Sequence, residues 1–450
     1  MAIKVGMVSL GCPKNQVDAE VLLGFLVEEG FEIVNDPDRA DAVIVNTCGF
    51  IQSAKEESIE TILEFCGLKE EGQLKCVVVT GCLAERYQQE IGTELPEVDV
   101  VLGLGDNRDI GAAIRKSLEE EGAVYSFGDK YDLPLSGERV LTTSPWLAYL
   151  KIAEGCDNFC TYCAIPMIRG RFRSRTIEEL LSEAEALAKA GVKELVLVAQ
   201  DTGYYGMDLY GEEKLPELLQ KLDEIDGFQW IRVLYCYPER ITDELLTVMR
   251  EGKHIVPYLD IPMQHANGTV LKRMNRKGDA IWLKELIEHI RASVPGIALR
   301  TTFIAGFPGE TEEQFLELSE FAGEMQFERM GCFAYSQEED TPAARLPEQL
   351  PEEEKIRRAG IISEIQYRVN VRKADALKGK TVTVLVEGFD DDELLWYGRT
   401  AADAPDIDCQ VFFYTEEEIF LGEFVEVEVL DVLDIDPMGK MIKRITTEKV

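Results

Sequence analysis

Residues 152–163 read Ile152-Ala153-Glu154-Gly155-Cys156-Asp157-Asn158-Phe159-Cys160-Thr161-Tyr162-Cys163, with three cysteines at spacings of four and three. Thiolates are the usual protein ligands of iron and sulfide, so three in one loop can hold three corners of a 4Fe-4S cubane. A site with only three protein ligands leaves one iron open to a substrate or cofactor. Zinc is the alternative. It would need a further ligand nearby, and the histidines, His254, His265 and His289, are scattered.

The cysteine loop ends the first of six strand candidates in the middle of the chain. These strands are predicted at residues 146–153, 194–199, 230–236, 256–261, 297–304 and 330–335. Helical patterns such as 177–190 and 312–323 separate them. Thr176 and Glu179 have the spacing of a capping box before the first of these helices, and Gly191 is placed to end it. Six such units predict a partial, TIM-like (βα)6 barrel with its active site at the carboxyl ends of the strands.

The N-terminal region has the pattern of a parallel βαβ domain, with strands predicted at 4–10, 42–46 and 77–80 and helices at 17–29, 52–66 and 83–91. One cysteine follows each strand, and each has a neighbouring glycine: Cys12, Cys48 and Cys82. The loops that leave the carboxyl ends of parallel strands lie on one rim, so we expect these three thiols to converge. The alternative is three buried cysteines at strand ends.

The C-terminal region follows a charged helix predicted at 352–380 and contains five strand candidates. They lie at 381–387, 394–400, 410–414, 424–430 and 441–445, with turn signals at 388–392 and 437–439. This pattern predicts a small antiparallel β-barrel of the oligonucleotide-binding type.

The charge balance restricts the choice of partner. The 450 residues include 47 basic and 84 acidic side chains, a formal net charge of -37. Residues 378–450 alone have 18 acidic and 7 basic residues, so neither the chain nor its last barrel suits stable binding of nucleic acid through phosphates. A basic protein partner fits better. Glu352–Glu354 and Glu416–Glu418 are solvated faces or part of its docking site.

The sequence has no signal peptide, and no apolar run approaches the length of a membrane span, which predicts a cytoplasmic protein without a membrane partner. Its 11 cysteines are an odd number. In a reducing compartment they are ligands, catalytic thiols or buried apolar residues rather than disulfides. Five without ligand spacing are interpreted as small buried hydrophobic residues: Cys66, Cys76, Cys236, Cys332 and Cys409.

The motif Cys156-x-x-x-Cys160-x-x-Cys163, with Tyr162 before the last cysteine, resembles the radical S-adenosylmethionine (SAM) enzymes. The resemblance implies that the open iron chelates the amino and carboxylate groups of SAM. A reduced cluster then cleaves SAM to methionine and a 5'-deoxyadenosyl radical. The segment 301–311 resembles the glycine-containing cofactor loop of the same enzymes.

Polar residues at the predicted strand ends are candidates for contacts with SAM or substrate. The predicted cofactor-binding residues are Tyr162, Gln200, Asp201 and Arg300, and Gln264 is a further candidate. Their alternative role is to shape loops through hydrogen bonds. No residue is predicted to act as a catalytic acid, base or nucleophile. Four arginines at alternate positions either meet the cofactor or substrate carboxylate or form an exposed basic loop: Arg169, Arg171, Arg173 and Arg175.

Taken together, the three regions resemble the radical SAM methylthiotransferase family over essentially the whole chain. The resemblance implies a methylthiotransferase domain at 1–128, a linker at 129–144, a radical SAM domain at 145–375 and a TRAM domain at 376–450. It also implies that Cys12, Cys48 and Cys82 hold an auxiliary 4Fe-4S cluster whose open iron carries sulfur. One SAM methylates that sulfur, and another provides the radical that activates a C–H bond.

Four motifs resemble the branch of this family that modifies a ribosomal protein. They lie at residues 9–15, 46–51, 54–58 and 260–265. The resemblance implies methylthiolation of the β-carbon of an aspartate in the twelfth protein of the small ribosomal subunit, with an electron donor and a sulfur donor as further partners. The relatives that modify tRNA typically carry Gly-Cys-Gln-Met-Asn at the first cysteine. A tRNA adenosine methylthiotransferase and a non-catalytic iron–sulfur electron carrier are the alternatives.

Overall fold

Two parallel sheets and one closed barrel follow one another in a computed structural model, which describes residues 2–36, 39–120 and 122–445. The first sheet has six parallel strands in the order β2-β1-β3-β4-β5-β6. Its strands are β1 (Lys4–Ser9), β2 (Glu32–Ile33), β3 (Ala42–Thr47), β4 (Cys76–Gly81), β5 (Val100–Leu102) and β6 (Val124–Ser126). Its helices are α1 (Pro13–Glu28), α2 (Gln52–Glu70), α3 (Cys82–Tyr87), α4 (Gln89–Glu94) and α5 (Ile110–Glu119).

The three longer strands of this sheet were predicted from the sequence and are confirmed, while β2, β5 and β6 are too short to give a periodic signal. Every residue of β3 and β4 is buried because helices cover both faces of the sheet. The single helix predicted at 83–91 is wrong. It breaks at Gln88, whose φ of 43° places it in the left-handed region, and so α3 and α4 are separate.

The middle region is the predicted partial barrel, with six parallel strands in the order β14-β13-β12-β11-β10-β7. They are β7 (Leu147–Lys151), β10 (Glu194–Val198), β11 (Trp230–Val233), β12 (Ile255–Asp260), β13 (Ala298–Ala305) and β14 (Arg329–Ala334). A short pair, β8 (Ala153–Glu154) and β9 (Arg173–Ser174), frames the cysteine loop.

Helices separate or connect the strands of the partial barrel. They are α6 (Ile165–Arg169), α7 (Ile177–Ala190), α8 (Met207–Tyr210), α9 (Leu215–Asp223), α10 (Asp243–Glu251), α11 (Gly268–Arg273), α12 (Ala280–Ser293) and α13 (Glu312–Met325). The capping box predicted for α7 is present, with the Thr176 side chain and Glu179 bonded to each other's backbone. Gly191 ends the helix in the left-handed conformation.

The C-terminal region begins with α14 (Glu352–Asp375) and closes into a five-stranded barrel. Its strands are β15 (Thr381–Asp390), β16 (Leu395–Arg399), β17 (Val411–Tyr414), β18 (Phe424–Leu433) and β19 (Asp436–Arg444). The strand pairs are antiparallel except β17 with β19, which is parallel. The turn predicted at 437–439 is wrong. Pro437 already pairs with Val432, and the chain reverses just before it, where Asp434 has a φ of 59°.

One loop of the C-terminal barrel enters the open centre of the (βα)6 barrel. This plug loop, residues 400–409 between β16 and β17, places its carboxylates and carbonyls against inward-facing side chains of the strands. The contacts are Asp406 with Tyr149 (3.3 Å), Asp408 with Tyr258 (2.7 Å), Asp403 with Arg329 (2.9 Å) and the carbonyl of Ala401 with Arg232 (2.9 Å). Arg399 beside the loop reaches Glu194 at 2.7 Å, and Glu194 also binds Arg232 at 2.7 Å. The C-terminal barrel is therefore joined to the middle region by buried polar contacts.

The segment between the two sheets packs against α1. The backbone N–H of Thr142 donates to Glu20, and the backbone N–H of Val140 donates to the carbonyl of Glu20. Arg139 lies 3.4 Å from the same carboxylate.

Across residues 2–36, 39–120 and 122–445, no helix combines the length and apolar composition needed to cross a bilayer.

Candidate iron–sulfur and cofactor site

The first group of thiols, which we call the N-terminal triad, is Cys12, Cys48 and Cys82. Its members lie at the carboxyl ends of β1, β3 and β4, which are neighbours in the sheet. Burial, together with the neighbouring Cys82 and Cys12 thiols, raises the pKa of Cys48 to about 12. The predicted convergence of these three residues is therefore present in the structure.

Glycines allow the loops of the N-terminal triad to touch. A Cβ on Gly11 would lie 2.9 Å from the Cys48 sulfur, and one on Gly81 would lie 2.6 Å from the backbone of Thr47. Both glycines have φ near +90°, which side-chain-bearing residues rarely adopt. The glycines beside the cysteines thus hold neighbouring strand ends in close contact.

Residues of the motif at 54–58 support the same loops. The Ser58 hydroxyl accepts the backbone N–H of Cys48 at 3.0 Å. Lys55 binds Glu338 and Glu339, each at 3.1 Å, and so ties α2 to the segment that follows β14. This motif therefore positions Cys48 and anchors the first sheet on the barrel.

The second group of thiols, the barrel triad, is Cys156, Cys160 and Cys163 in the loop between β8 and α6. Several donors point at its sulfurs. The amide of Asn158 lies 3.6 Å from Cys156, the backbone N–H of Ile165 lies 3.4 Å from Cys163, and the Tyr237 hydroxyl lies 3.7 Å from Cys160. Such donors orient thiolate ligands and tune the potential of a cluster.

The two triads lie on either side of the contact between the first sheet and the barrel, and we call the region between them the shared space. Arg169, at the end of α6, donates to the Cys82 sulfur at 3.1 and 3.3 Å. Two tyrosines in the segment leaving β11 face different triads. Tyr235 interacts electrostatically with Cys12 of the N-terminal triad. Tyr237 contacts Cys160 of the barrel triad. The carboxyl edge of the first sheet therefore meets the carboxyl end of the barrel.

The donor set of each triad, three thiols, is that of an iron–sulfur cluster. Burial raises the pKa of Cys156 to about 12, so this thiol becomes a thiolate ligand only against positive charge. Two buried guanidinium groups can balance the negative charge of the thiolates. Arg169 contacts Cys82, and Arg276 lies 4.0 Å from Cys160. In the described part of the chain, no three His, Cys, Asp or Glu side chains meet closely enough to share a single metal ion.

A buried network of four charges joins α1 to the cysteine loop. Lys151 binds Asp18 and, at 2.8 Å, Glu154; Arg169 binds Asp18 and, at 3.2 Å, Glu154. All four side chains are at most 2% exposed. The network fixes Arg169, and through it the distance between the two triads.

Two of the predicted cofactor residues carry polar atoms without a partner. The Gln200 amide nitrogen donates to Glu154 at 3.3 Å, and one Asp201 oxygen accepts from Asn158 at 2.8 Å. The Gln200 amide oxygen and the second Asp201 oxygen are buried and unbonded. Burial raises the pKa of Asp201 to about 6. Buried polar atoms normally have partners, so these two oxygens fit a polar ligand beside the barrel triad.

The other two predicted cofactor residues lie in different places, Tyr162 in the cysteine loop and Arg300 near the start of β13. Tyr162 packs against Val270, Met274 and Phe307 next to the barrel triad. The Arg300 guanidinium is paired with Asp260 at 3.0 Å and faces Asp408 of the plug loop at 3.6 Å. Their contacts with SAM stay predictions.

Two strand exits at the carboxyl end of the barrel have strained backbones. Gln264 follows β12 with a φ of 71°, and Tyr235 follows β11 with a φ of 60°. Residues other than glycine hold such conformations only where surrounding contacts impose them, and they concentrate at functional sites.

The segment predicted as a glycine-containing cofactor loop contacts the motif at 260–265. His265 lies 3.5 Å from Glu310, which also accepts the backbone N–H of Gly306 at 2.9 Å and pairs with Arg358 at 2.8 Å. Glu310 therefore closes the turn of its own loop and ties it to β12 and α14.

The alternate arginines fall into different environments. Arg169 and Arg175 are buried, Arg171 is largely exposed, and Arg173 packs on Tyr131. The prediction that these arginines form an exposed basic loop is therefore wrong for Arg169 and Arg175, which are buried. The polar partners of Arg169, Asp18 on another element and the Cys82 sulfur, could not be identified from local pattern.

Sequence reasoning missed other residues at the shared space. Lys14, Tyr235 and Arg276 line it, and Lys151 and Glu154 support it. Lys14 and Glu154 lie inside motifs quoted for their cysteines, which is the signal that could have found them. Tyr235 and Arg276 had no such signal, because only the fold brings them to the thiols.

Family models match three parts of the chain. The uncharacterized protein family UPF0004 matches residues 4–103, the radical SAM superfamily matches residues 150–322, and the TRAM domain matches residues 379–442. Among solved structures, the radical SAM methyltransferase TsrM from Kitasatospora setae has a TM-score of 0.55 at 15% identity, covering 76% of this chain and 75% of that one. The cobalamin-dependent SAM radical enzyme OxsB has a TM-score of 0.51 at 14% identity, covering 82% and 58%. Both share the fold.

Curated relatives extend over nearly the whole chain. A protein of Clostridioides difficile named ribosomal protein uS12 methylthiotransferase RimO is 48% identical over 98% of this chain and 99% of its own length. A protein of Lachnoclostridium phytofermentans with the same name is 49% identical over 97% and 99%. The resemblance predicted from the cysteine motifs is confirmed. With nearly half of its residues identical to these proteins, the chain belongs to the RimO family of ribosomal protein uS12 methylthiotransferases.

Proposed function

We propose that this protein transfers a methylthio group to the β-carbon of an aspartate in ribosomal protein uS12, using two 4Fe-4S clusters and two molecules of SAM. The observation that carries the proposal is the pair of thiol triads on one shared space, one from each parallel sheet. The relatives named for this activity support it.

Each triad would hold one cluster, with the barrel triad next to SAM and the N-terminal triad next to the transferred sulfur. When bound, the clusters and SAM supply the radical and the methylthio group. The chain's own residues bind and orient them. Arg169 and Arg276 balance negative charge at the sulfurs, and the free oxygens of Gln200 and Asp201 accept hydrogen bonds from SAM.

The proposed domains follow from the assignment of one cluster to each triad. Residues 1–128 would form the methylthiotransferase domain, 129–144 the linker, 145–375 the radical SAM domain and 376–450 the TRAM domain. The acidic charge favours a basic ribosomal protein over tRNA. The substrate places the enzyme in the cytoplasm, where an electron donor and a sulfur donor would serve it.

The test is an anaerobic assay of the reconstituted full chain with reductant, sulfide and SAM, offering uS12 and unmodified tRNA in parallel. Mass spectrometry should detect a methylthio gain on an aspartate of uS12. A gain on tRNA alone would overturn the assignment of substrate. SAM turnover without either product would contradict both substrates.

Replacing Gln200 by Met should weaken binding of SAM about tenfold, which corresponds to about 1.4 kcal/mol. The change removes the unpartnered acceptor oxygen and the amide donor to Glu154 while keeping the length of the side chain. Equilibrium binding of SAM to the reconstituted protein measures the effect, and iron content should stay unchanged. Unaltered affinity would remove Gln200 from the cofactor site.

Replacing Gly81 by Ala should release the iron of the N-terminal triad. A methyl group there would lie 2.6 Å from the Thr47 backbone at the edge that carries Cys48 and Cys82. Iron content should fall from about eight atoms per chain towards about four. Gly72→Ala is the matched control because Gly72 also has a positive φ, 75°, but open space around it. It should cost about 1–2 kcal/mol of stability and keep the iron. Equal iron in the two variants would contradict the close-contact argument.

A further inference from the structure

One buried lysine of this protein differs from the others. The described residues include four buried lysines: Lys14, Lys55, Lys151 and Lys355. Lys55 pairs with Glu338 and Glu339, Lys151 with Asp18 and Glu154, and Lys355 with Glu352. Within residues 2–36, 39–120 and 122–445, Lys14 has no carboxylate at ion-pair distance. A buried ammonium without an anion is costly, so its place requires an explanation.

The surroundings of Lys14 place its charge at the shared space. Lys14 stands two residues after Cys12 in the first turn of α1 and is 7% exposed. Its ammonium lies 3.3 Å from the centre of the Tyr235 ring, a cation–π contact. Tyr235 itself is held with a φ of 60° at the exit of β11. Contacts from both the N-terminal region and the barrel therefore position the Lys14 ammonium beside the N-terminal triad.

Lys14 faces the Tyr235 hydroxyl, the Cys12 thiol and one carboxylate, Asp260, and that carboxylate is already engaged. One of its carboxylate oxygens accepts from Arg300 at 3.0 Å, and the other accepts the backbone N–H of Tyr235 at 3.0 Å. Asp260 therefore shares the electrostatic environment of Lys14 without pairing with it. An anion that arrives from outside the chain would complete the site.

We propose that Lys14 binds the side-chain carboxylate of the substrate aspartate and so holds the reacting β-carbon next to the N-terminal triad. The inference rests on the proposed function and names the group that selects the substrate. The carboxylate is bonded directly to the β-carbon, so gripping it fixes the carbon where the methylthio group must arrive. An amide in place of the carboxylate loses the charge and with it the ion pair.

The test measures the affinity of the reconstituted, full-length protein for uS12 and for uS12 in which the modified aspartate is replaced by asparagine. Wild type should bind the aspartate form at least tenfold more tightly. Lys14→Met should bind both forms equally, with an affinity near that of wild type for the asparagine form. Lys14→Arg, which keeps the charge, should retain most of the preference. The four affinities of wild type and Lys14→Met for the two forms of uS12 form a double-mutant cycle.

Two further readouts separate folding from recognition. Each variant should contain as much iron as wild type and give an unchanged circular-dichroism spectrum. If Lys14→Met loses iron, Lys14→Gln replaces it in the cycle. A wild-type preference below twofold, or an undiminished preference in an iron-loaded neutral variant, would overturn the role of Lys14 while leaving methylthiolation of uS12 intact. Modification of tRNA by wild type would instead overturn the proposed function.

Discussion

Cys160→Ala should abolish formation of 5'-deoxyadenosine, whereas Cys82→Ala should retain it and lose only the methylthio product. The reason is the separation of the thiols into two triads, each at the carboxyl edge of its own sheet. Cys160 lies between Tyr237 and Arg276 on the barrel side, whereas Cys82 contacts Arg169 from the first sheet. Chromatography of the SAM products and mass spectrometry of uS12 measure the two outcomes in one anaerobic reaction.

Cys66→Ala is the matched control for this pair of variants. Cys66 is a buried core residue of α2 and lies in neither triad, so both products should form at nearly the wild-type rate. Loss of 5'-deoxyadenosine in Cys82→Ala, with the barrel iron still present, would contradict the assignment of separate roles to the two triads.

Lys151→Met should lower the free energy of unfolding by about 3–5 kcal/mol. The substitution leaves two buried carboxylates, Asp18 and Glu154, to share Arg169. Breaking a buried charge network by removing one member leaves uncompensated charge in a medium of low polarity, which is more costly than losing an exposed pair. Chemical denaturation of the protein, followed by circular dichroism, measures the change.

The control for Lys151→Met is Lys189→Met on the outer face of α7. Lys189 forms an exposed pair with Glu185 at 3.4 Å, and the two side chains are 77% and 56% exposed. Its removal should change stability by less than about 0.5 kcal/mol. Comparable losses in the two variants would mean that the buried network contributes no more than a surface pair.

Local pattern was sufficient to predict the parts of the site that depend on strand order. The convergence of Cys12, Cys48 and Cys82 follows from their equivalent positions after parallel strands, and the structure has it. The (βα)6 barrel followed from six strand and helix alternations. These features repeat along the chain, so periodicity and spacing report them.

The remaining features depend on packing between distant segments. In the sequence, Arg169 cannot be distinguished from the three arginines that follow it at alternate positions. In the fold, its partners are Asp18 of α1 and Cys82 of α3. Lys14 has no signal of its own within the motif at 9–15, because its isolation from carboxylates is a property of the assembled fold. The early start of β19 at Asp436 also overrode a local turn signal, since pairing with β18 satisfied the backbone.

Because of the plug loop, the role of the C-terminal barrel cannot be tested by deleting it. Cutting the chain at residue 376 would remove Asp403, Asp408 and Arg399 and would uncover Glu194, Arg232 and Arg329 in the centre of the (βα)6 barrel. Water would then enter from the amino ends of the strands, behind the thiol triads. A truncated protein would lose activity through damage to its interior, whatever the outer surface binds. Charge reversal at exposed Glu416–Glu418 leaves the interior sealed, so it isolates the contribution of that surface to capturing a basic protein.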